Sequence, residues 1–182
     1  MQLTMIRHLP TEWNKNQILQ GRRDIPIAPI TEEWRKGMNR NLSILRQQMP
    51  FDLVLASSLK RTQQTARLYE FEPEIDPLLD ELDFGPFEGK PREKLMETYG
   101  ETWIENPKAL LLGESILQLE ERLVAFLQKY RSYKKVLIFG HGSWIRAMLS
   151  YAEHGHVNHM NKVVVPNNTC KILPEITIRS EG

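Results

Sequence analysis

The side chains best suited to chemistry in this sequence follow three short apolar runs. They are Arg7 and His8 after residues 3–6, Arg61 after residues 53–56, and His141 after residues 136–139. Guanidinium groups bind anions such as phosphate through forked N–H donors, and a neutral imidazole offers a lone pair for nucleophilic attack or proton transfer. Each residue alone has a plainer role as a hydrogen-bonded or ion-paired structural group. Together they predict an anion-binding site beside a nucleophile or proton carrier.

The predicted secondary structure gives a reason for these residues to meet. Short continuous apolar runs are typical of strands buried on both faces of a parallel sheet. Helical patterns lie between and after these runs, at residues 31–48, 58–70, 115–130 and 143–151. Strands that alternate with helices predict a three-layer α/β/α sandwich with a mostly parallel central sheet. In such sheets ligands bind at the carboxyl ends of the strands, where Arg7, His8, Arg61 and His141 are expected to converge.

Residues 73–113 interrupt this alternation with many prolines and glycines. We predict that they form an irregular insertion with short helices, placed as a lid over the site, within a single domain that spans residues 1–182. Residues 162–179 alternate short β-like runs with turn residues, which predicts edge strands or a hairpin.

The composition favours a cytoplasmic globular protein. The 182 residues include 24 Lys and Arg against 23 Asp and Glu, and this net charge of +1 indicates neither nucleic-acid nor membrane attraction. We find no secretion signal and no apolar run long enough to span a bilayer. Cys170 is the single cysteine, which excludes an internal disulfide and a cysteine-based zinc cluster.

Three histidines near the end of the chain, His154, His156 and His159, form a second group of polar residues. Such a group could bind zinc, but its spacing matches no standard zinc site. We therefore favour a solvated loop, and we predict neither a metal nor a cofactor for this protein.

Five blocks of sequence, in order along nearly the whole chain, resemble the histidine phosphatase superfamily, and within it the phosphoglycerate mutase-like branch. The blocks are residues 7–14 with 20–26, residues 57–66, residues 79–89, residues 113–115 with Arg122, and residues 139–146. The resemblance implies a phosphoglycerate mutase-like sandwich and a reaction that needs no metal. One departure is Leu9, which stands where the family usually has glycine. If that position required a positive φ, leucine would be strained and His8 displaced.

The resemblance also implies the catalytic roles. His8 is the nucleophile that forms a phosphohistidine, and Glu81 is the general acid and then the general base. Arg7, Arg61 and His141 hold the phosphoryl group. Three further carboxylates lie near Glu81 in the sequence, namely Asp80, Asp83 and Glu88. Glu81 is preferred because it holds the family position relative to the Phe-Gly and Glu-Gly pairs that follow.

Further residues match pocket positions of the family. Asn14 matches a residue whose amide contacts the phosphoryl group, and the neighbouring pocket positions match Thr11, Gln20 and Gly21. We also expect helix N-termini at Ser58 and at Gly142 with Ser143 to direct backbone N–H groups toward the same anion.

We therefore predict a phosphomonoester hydrolase that acts on a small phosphorylated metabolite. Two alternatives stay open: a cofactor-dependent phosphoglycerate mutase, and a non-catalytic phosphate-binding scaffold. Mutases of this branch are usually longer in and after the insertion, so the short insertion favours hydrolysis. The start Arg-His-Leu-Pro-Thr-Glu resembles α-ribazole phosphatase-like members. Aromatic residues of the insertion are expected either to wall the leaving group or to form the core of the lid, namely Phe84, Phe87, Tyr99 and Trp103.

Overall fold

The computed structural model describes residues 1–179 and contains one five-stranded sheet with helices. The strands are β1 (Gln2–Arg7), β2 (Leu53–Ala56), β3 (Glu74–Ile75), β4 (Lys135–Gly140) and β5 (Cys170–Leu173). The α-helices are α1 (Glu12–Lys15), α2 (Glu32–Gln48), α3 (Lys60–Leu68), α4 (Glu93–Tyr99), α5 (Glu101–Glu105), α6 (Ile116–Lys129) and α7 (Gly142–His154). Residues 180–182, the end of the predicted domain, lie outside the described part.

The sheet is mostly parallel, as predicted. Its strand order is β3-β2-β4-β1-β5, and β4 pairs in parallel with both β1 and β2. Arg7 pairs with Gly140, so β1 and β4 end at the same level and the residues that follow them start side by side. Residues 162–179 contribute one strand, β5, which lies at one edge of the sheet and pairs antiparallel with β1.

Helices cover both faces of the sheet. Side chains alternate along β4, so Val136 and Ile138 pack into the core with α6 and α7, while Leu137 and Phe139 pack into the core with α2 and α3. The apolar runs of the sequence are continuous because both faces of these strands are buried. The predicted three-layer sandwich is therefore confirmed.

Side chains at the N-termini fix where two of the long helices begin. The Thr31 side chain accepts a hydrogen bond from Trp34 N at the start of α2. Ser115 and Gln118 form a reciprocal capping box at the start of α6, the helix predicted at residues 115–130. None of the helices in residues 1–179 combines the length and the apolar content that crossing a bilayer requires.

The insertion at residues 73–113 is irregular, with short helices as predicted. It holds the short strand β3, the helices α4 and α5, and three 3-10 turns, Pro77–Leu79, Gly85–Phe87 and Pro107–Ala109. The two residues of β3 are exposed, so no apolar run marks this strand in the sequence. Phe84, Leu95 and Trp103 of the insertion pack into the core on the α6 and α7 side.

Candidate active site

A cavity of about 530 Å³ opens where β1 and β4 end. Eight of the ten residues predicted for the site line it: Arg7, His8, Asn14, Gln20, Gly21, Arg61, Glu81 and Gly142. The other two, Thr11 and His141, are fully buried and do not line the cavity. Residues far apart in the sequence are therefore brought to one place.

The hydrogen bonding of His8 defines its tautomer. His8 follows directly after β1 and is buried, and its Nδ1 lies 2.7 Å from the carbonyl oxygen of Leu9. A carbonyl only accepts, so Nδ1 carries the proton and Nε2 keeps its lone pair in the neutral ring. Burial, and then the charges of Arg61 and Arg7, hold the pKa of His8 well below its usual value. His8 is therefore neutral at pH 7.

Leu9 adopts a backbone conformation that suits leucine. Among the described non-glycine residues, a positive φ occurs only at Gln17, Glu70 and Asn168. The Leu9 side chain is fully buried in the core on the α2 side, and its N–H donates to Oγ1 of Thr65 at 3.0 Å. Leucine at position 9 is therefore free of the backbone strain that a positive φ would cause. The carbonyl of Leu9 orients the His8 ring.

Arg61 is oriented by two backbone carbonyls. Its Nη1 donates to the oxygen of Arg23 and its Nη2 to the oxygen of Gly21, both at 2.7 Å. Gly21 has a φ of +52°, and a Cβ there would lie 2.7 Å from Oε1 of Glu88, so this turn requires glycine. The buried Nε of Arg61 has no hydrogen-bond partner among the described residues.

The segment that precedes β5 holds the side chain of Arg7 in place. Its Nη1 donates to the carbonyl of Val165 at 2.6 Å, while its buried Nε has no partner in residues 1–179. Burial, followed by the charge of Arg146, lowers the pKa of Arg7 to about 10, so Arg7 stays cationic at neutral pH. A methyl group at Gly142 would lie 3.1 Å from Cζ of Arg7, so the guanidinium packs closely against this backbone.

The same segment supports the end of β1. Asn167 donates from Nδ2 to the carbonyl of His8 at 3.0 Å, and Asn168 donates from its backbone N–H to the carbonyl of Arg7 at 2.9 Å. Residues 165–168 therefore fix both the backbone and the guanidinium beside the cavity.

His141 lies beside His8 in the interior. The two ring centroids are 5.4 Å apart and the rings are inclined by 61°. Nε2 of His141 lies 2.7 Å from the hydroxyl of Ser57, and its buried Nδ1 has no partner among the described residues. Burial, and then the charges of Arg61, His8 and Arg7, lower its pKa well below the usual value.

Thr11 positions two residues of the cavity wall. Its hydroxyl donates to Oε1 of Gln20 at 2.7 Å and accepts from the backbone N–H of Asn14 at 3.1 Å. Oδ1 of Asn14 accepts from the backbone N–H of Thr11 at 3.0 Å. The carbonyl end of the Asn14 side chain is thus engaged, and its NH₂ group remains the donor on the cavity wall.

Glu81 is the only carboxylate of residues 1–179 that lines the cavity. Oε1 accepts from the N–H of Leu82 at 2.8 Å, and Oε2 accepts from the N–H of Ser143 at 3.2 Å. The neighbouring carboxylates have other partners: Asp80 accepts from Ser58, Asp83 from Gly85, and Glu88 from Arg22 and Arg23. The geometry therefore separates Glu81 from the other three candidates.

The helix N-termini differ from the expectation. Helix α3 begins at Lys60, and the N–H of Ser58 donates to Oδ1 of Asp80 at 2.8 Å. Because the carboxylate of Asp80 takes that donor, the expectation that the N–H of Ser58 contributes to an anion site is wrong. The N–H of Ser143 is engaged by Glu81. Gly142, the first residue of α7, keeps an N–H that has no partner within its helix.

Sequence reasoning missed several cavity residues. Arg146 lies one turn beyond Gly142 on α7, inside a recognised sequence block but without a role assigned to it. Arg92 lies just before α4 in the insertion, where no pattern distinguishes it from other surface arginines. Asn161 and residues 163–167 come from the loop before β5.

The aromatic residues of the insertion divide into two pairs. Phe84 and Trp103 line the cavity, with ring centroids 6.4 Å apart. Phe87 and Tyr99 pack against each other at 5.6 Å and do not line it. Phe84 and Trp103 therefore form part of the cavity wall, while Phe87 and Tyr99 pack within the insertion.

Two further groups lie away from the cavity. The rings of His154, His156 and His159 are clustered, with centroids 4.0 Å apart for His154 and His159. No group of three or more candidate ligands in residues 1–179 has a geometry that could hold a metal ion. Cys170 is half-buried in β5, and burial raises the pKa of its thiol to about 11.

Comparison with known families agrees with this geometry. Residues 3–177 match the model of the histidine phosphatase superfamily, branch 1. The chain belongs to this superfamily. It is therefore a member of an enzyme family that includes phosphatases and phosphoglycerate mutases.

Relatives in the superfamily cover most of the chain. A Bacillus subtilis protein named "Uncharacterized phosphatase PhoE" is 31% identical over 159 residues, which are 83% of this chain and 77% of that protein. The adenosylcobalamin/alpha-ribazole phosphatase of Escherichia coli is 31% identical over 153 residues, which are 78% of this chain and 73% of that protein. The crystal structure of TTHB049 from Thermus thermophilus has a TM-score of 0.73 and 29% identity, covering 95% of this chain and 93% of that chain.

Proposed function

We propose that this protein is a metal-independent phosphomonoester hydrolase that acts on a small phosphorylated metabolite through a phosphohistidine at Nε2 of His8. One observation carries the proposal. The bond from His8 Nδ1 to the Leu9 carbonyl leaves Nε2 unprotonated in a neutral ring. Three buried nitrogens of the candidate site residues have no hydrogen-bond partner in residues 1–179, namely Nε of Arg7, Nε of Arg61 and Nδ1 of His141.

In the first step Nε2 of His8 attacks phosphorus while the bond from phosphorus to the ester oxygen breaks. Negative charge on the phosphoryl oxygens is met by the guanidinium groups of Arg7 and Arg61. Glu81 gives its proton to the departing oxygen, because an alkoxide is a poor leaving group.

In the second step the Glu81 carboxylate takes a proton from water as the water attacks phosphorus. The bond from His8 Nε2 to phosphorus breaks, and inorganic phosphate and neutral His8 are released. The backbone N–H groups of Leu82 and Ser143 hold both carboxylate oxygens, so Glu81 has one orientation for both proton transfers.

His141 acts as a further donor in this scheme. The Ser57 hydroxyl donates to Nε2 of the neutral ring, which leaves the proton on Nδ1 for the phosphoryl group. A bound phosphate dianion also favours the charged form of the ring, so anion binding raises the pKa of His141.

We also propose that residues 1–182 form one domain in which residues 73–113 act as a lid. Arg92, Leu95 and Trp103 of this segment line the cavity, which supports the proposed role. The leaving alcohol would lie against this wall, opposite His8.

A single-turnover experiment tests the mechanism. The protein is mixed with a phosphorus-labelled aryl phosphate, quenched in alkali, and examined for label bound to histidine. We expect labelled wild type, no label in His8→Ala, and accumulated label in Glu81→Gln, because dephosphorylation lacks its base. His156→Ala, away from the cavity, is the matched control and is expected to label normally. Absence of label in wild type that binds the ester would favour the non-catalytic scaffold.

A second experiment separates hydrolysis from isomerisation. Relatives include phosphatases and also a 2,3-bisphosphoglycerate-dependent phosphoglycerate mutase of Parvibaculum lavamentivorans at 26% identity. The protein is incubated with 3-phosphoglycerate and 2,3-bisphosphoglycerate, and 2-phosphoglycerate and free phosphate are both measured. We expect net phosphate release. Fast isomerisation with negligible release would instead assign the mutase activity.

A further inference from the structure

A second cavity, of about 350 Å³, lies between helix α2 and the segment that precedes β5. Residues 167–169 form one of its walls, and the other comes from α2, namely Glu33, Trp34, Gly37, Arg40 and Asn41. Trp34 and Asn167 line the active-site cavity as well, so the two cavities are neighbours. The proposed mechanism uses no side chain that lines only the second cavity.

Asn168 brings an unpaired donor to this cavity. Its side chain is only 7% exposed, and its Oδ1 accepts hydrogen bonds from the hydroxyl of Tyr69 and from Nδ2 of Asn41. The same Nδ2 of Asn41 also donates to the backbone carbonyl of Asn168 at 2.7 Å. These bonds fix the amide plane and leave Nδ2 of Asn168 without a partner in residues 1–179. A buried donor without a partner is costly, so the contents of the cavity must pair with it.

Gly37 makes room for two donors above α2. It lies in the interior of the helix, where glycine is less favourable than alanine, and its φ is not positive. A Cβ at this position would lie 3.0 Å from Nδ2 of Asn168 and 3.6 Å from Nη2 of Arg40. The amide and the guanidinium therefore meet over the same bare stretch of helix. Because Arg40 has no salt-bridge partner in residues 1–179, both donors are available to one carboxylate.

A negative charge lies further along the same wall. Glu33 is on the same face of α2 as Gly37, four residues earlier and thus about 6 Å away along the helix axis. Its carboxylate forms no salt bridge with a group of residues 1–179, so it does not neutralise Arg40. The neighbouring Trp34 adds an aromatic ring, whose face attracts ammonium groups. The cavity thus offers separate places for an anion and for a cation.

We propose that this second cavity binds a small zwitterion of the free amino acid class. The ligand carboxylate accepts from Arg40 and from Nδ2 of Asn168, and the ligand ammonium pairs with Glu33 beside Trp34. A zwitterion compensates both charges of the wall, whereas a simple anion meets repulsion from Glu33. The inference goes beyond the proposed phosphohydrolase function and does not depend on it.

Asn168 couples this cavity to the active site. Its backbone N–H donates to the carbonyl of Arg7 at 2.9 Å and to that of His8 at 3.3 Å. A ligand that holds the Asn168 side chain therefore also holds the end of β1. We expect the ligand to raise kcat/KM, and bound phosphate in the active site to tighten ligand binding, because coupling between two sites is reciprocal in binding free energy.

Nuclear magnetic resonance of the ¹⁵N-labelled full chain tests binding directly. Each standard L-amino acid is titrated to millimolar concentration. We expect at least one of them to shift the Nδ2 signals of Asn168 and the indole N–H signal of Trp34 saturably. The amide of that amino acid lacks the carboxylate and its N-acetyl derivative lacks the ammonium, so each is expected to bind about tenfold more weakly or worse.

Variants then assign the binding to the cavity. Arg40→Met and Glu33→Gln change exposed side chains, so both proteins should fold, and each is expected to weaken binding about tenfold or more. Gly37→Ala is expected to abolish binding because its methyl group occupies the space under the two donors, while alanine suits the helix. Arg35→Met, on the same helix but outside the cavity, is the control and should bind as wild type does.

Three outcomes overturn the inference. They are no saturable shift with any amino acid, equal affinity for the amide or the N-acetyl derivative, and unchanged affinity in Arg40→Met. Phosphate release from an aryl phosphate, with and without the amino acid, measures the coupling, and binding that leaves kcat/KM unchanged overturns the activating role. Failure of the proposed function is distinguishable, since it abolishes phosphate release and leaves the resonance shifts as they are.

Discussion

The Ser57 hydroxyl and Nε2 of His141 lie 2.7 Å apart in the protein interior. Both residues are fully buried, and Ser57 also accepts a hydrogen bond from the backbone N–H of Leu59 at 3.2 Å. The start of helix α3 is therefore tied to a histidine that follows β4. In the proposed mechanism this bond determines which nitrogen of His141 faces the phosphoryl group with a proton.

Replacing Ser57 by alanine is expected to lower both stability and activity. The change leaves Nε2 of His141 without its partner, at a cost of about 1 to 3 kcal/mol, and frees the ring to adopt the other tautomer. We expect kcat to fall by about tenfold or more, with a pH–rate profile displaced from that of wild type. Ser43→Ala, an exposed serine of α2, is the control. Unchanged kcat and pH profile would remove Ser57 from the mechanism.

Leu9 is expected to contribute to stability through its buried side chain. Leu9→Ala removes a fully buried leucine from the core on the α2 side, which costs about 2 to 5 kcal/mol. Leu9→Gly should lower the free energy of unfolding further, because glycine adds backbone entropy to the unfolded chain. Leu9 has no positive φ that glycine would adopt more easily. Urea unfolding measures both, with the exposed Leu111→Ala as control. A glycine variant as stable as wild type would contradict this account.

Acid is expected to destabilise the protein through two buried histidines. The folded-state pKa values of His8 and His141 lie well below the usual 6.5, so below that pH the unfolded chain binds more protons than the native chain. The free energy of unfolding should therefore decrease as pH falls through about 6.5, by up to about 1.4 kcal/mol per pH unit for each histidine, with no contribution at higher pH.

Urea unfolding between about pH 7.5 and about pH 5 measures this slope. His8→Gln is expected to show a shallower slope than wild type, because one proton-binding site is lost from the unfolded chain. Added inorganic phosphate should also reduce the wild-type slope, since an anion beside His141 favours its charged form. Identical slopes for wild type and His8→Gln would show that His8 is not held neutral.

Gly142 is expected to be necessary for the position of Arg7. In Gly142→Ala the new methyl group would lie 3.1 Å from Cζ of Arg7 and 3.3 Å from Nη1 of Arg146. Both guanidinium groups must then move, so we expect kcat/KM to fall by about tenfold or more, as when charge-assisted hydrogen bonds are lost. Thermal unfolding should change little, because alanine suits the first turn of a helix. Unchanged kinetics would show that Arg7 adjusts freely.

Local patterns in the sequence predicted the central strands and the long helices. The strands β1, β2 and β4 are buried on both faces, so their apolar runs stand out in the sequence. The helical patterns predicted at residues 31–48 and 115–130 correspond to α2 and α6, which begin at the caps Thr31 and Ser115. The pairing of Arg7 with Gly140 then brings His8 and His141 together. By contrast β3 is exposed and two residues long, and it forms only because the edge of β2 is available.

Site residues were predictable where a recognised sequence block marks them, whether they follow a strand or lie in a loop, and unpredictable where no such pattern exists. His8, Arg61 and Glu81 stand out through sequence blocks, but Arg92 has no local pattern, because the fold of the insertion brings it to the cavity. The N–H of Ser58 was misjudged because its acceptor, Asp80, lies 22 residues away and is not visible from the local sequence.

The contacts of residues 165–168 bear on when the protein becomes competent during synthesis. Val165 holds the guanidinium of Arg7 from 158 residues further along the chain, and Asn167 and Asn168 hold the carbonyls of His8 and Arg7. A nascent chain that has left the ribosome only as far as α7 already has the proposed nucleophile His8, the proposed acid Glu81 and the arginines. It lacks the segment that locks them in register. We therefore expect the backbone and guanidinium groups beside His8 to become ordered only after residues 165–168 have packed against the end of β1.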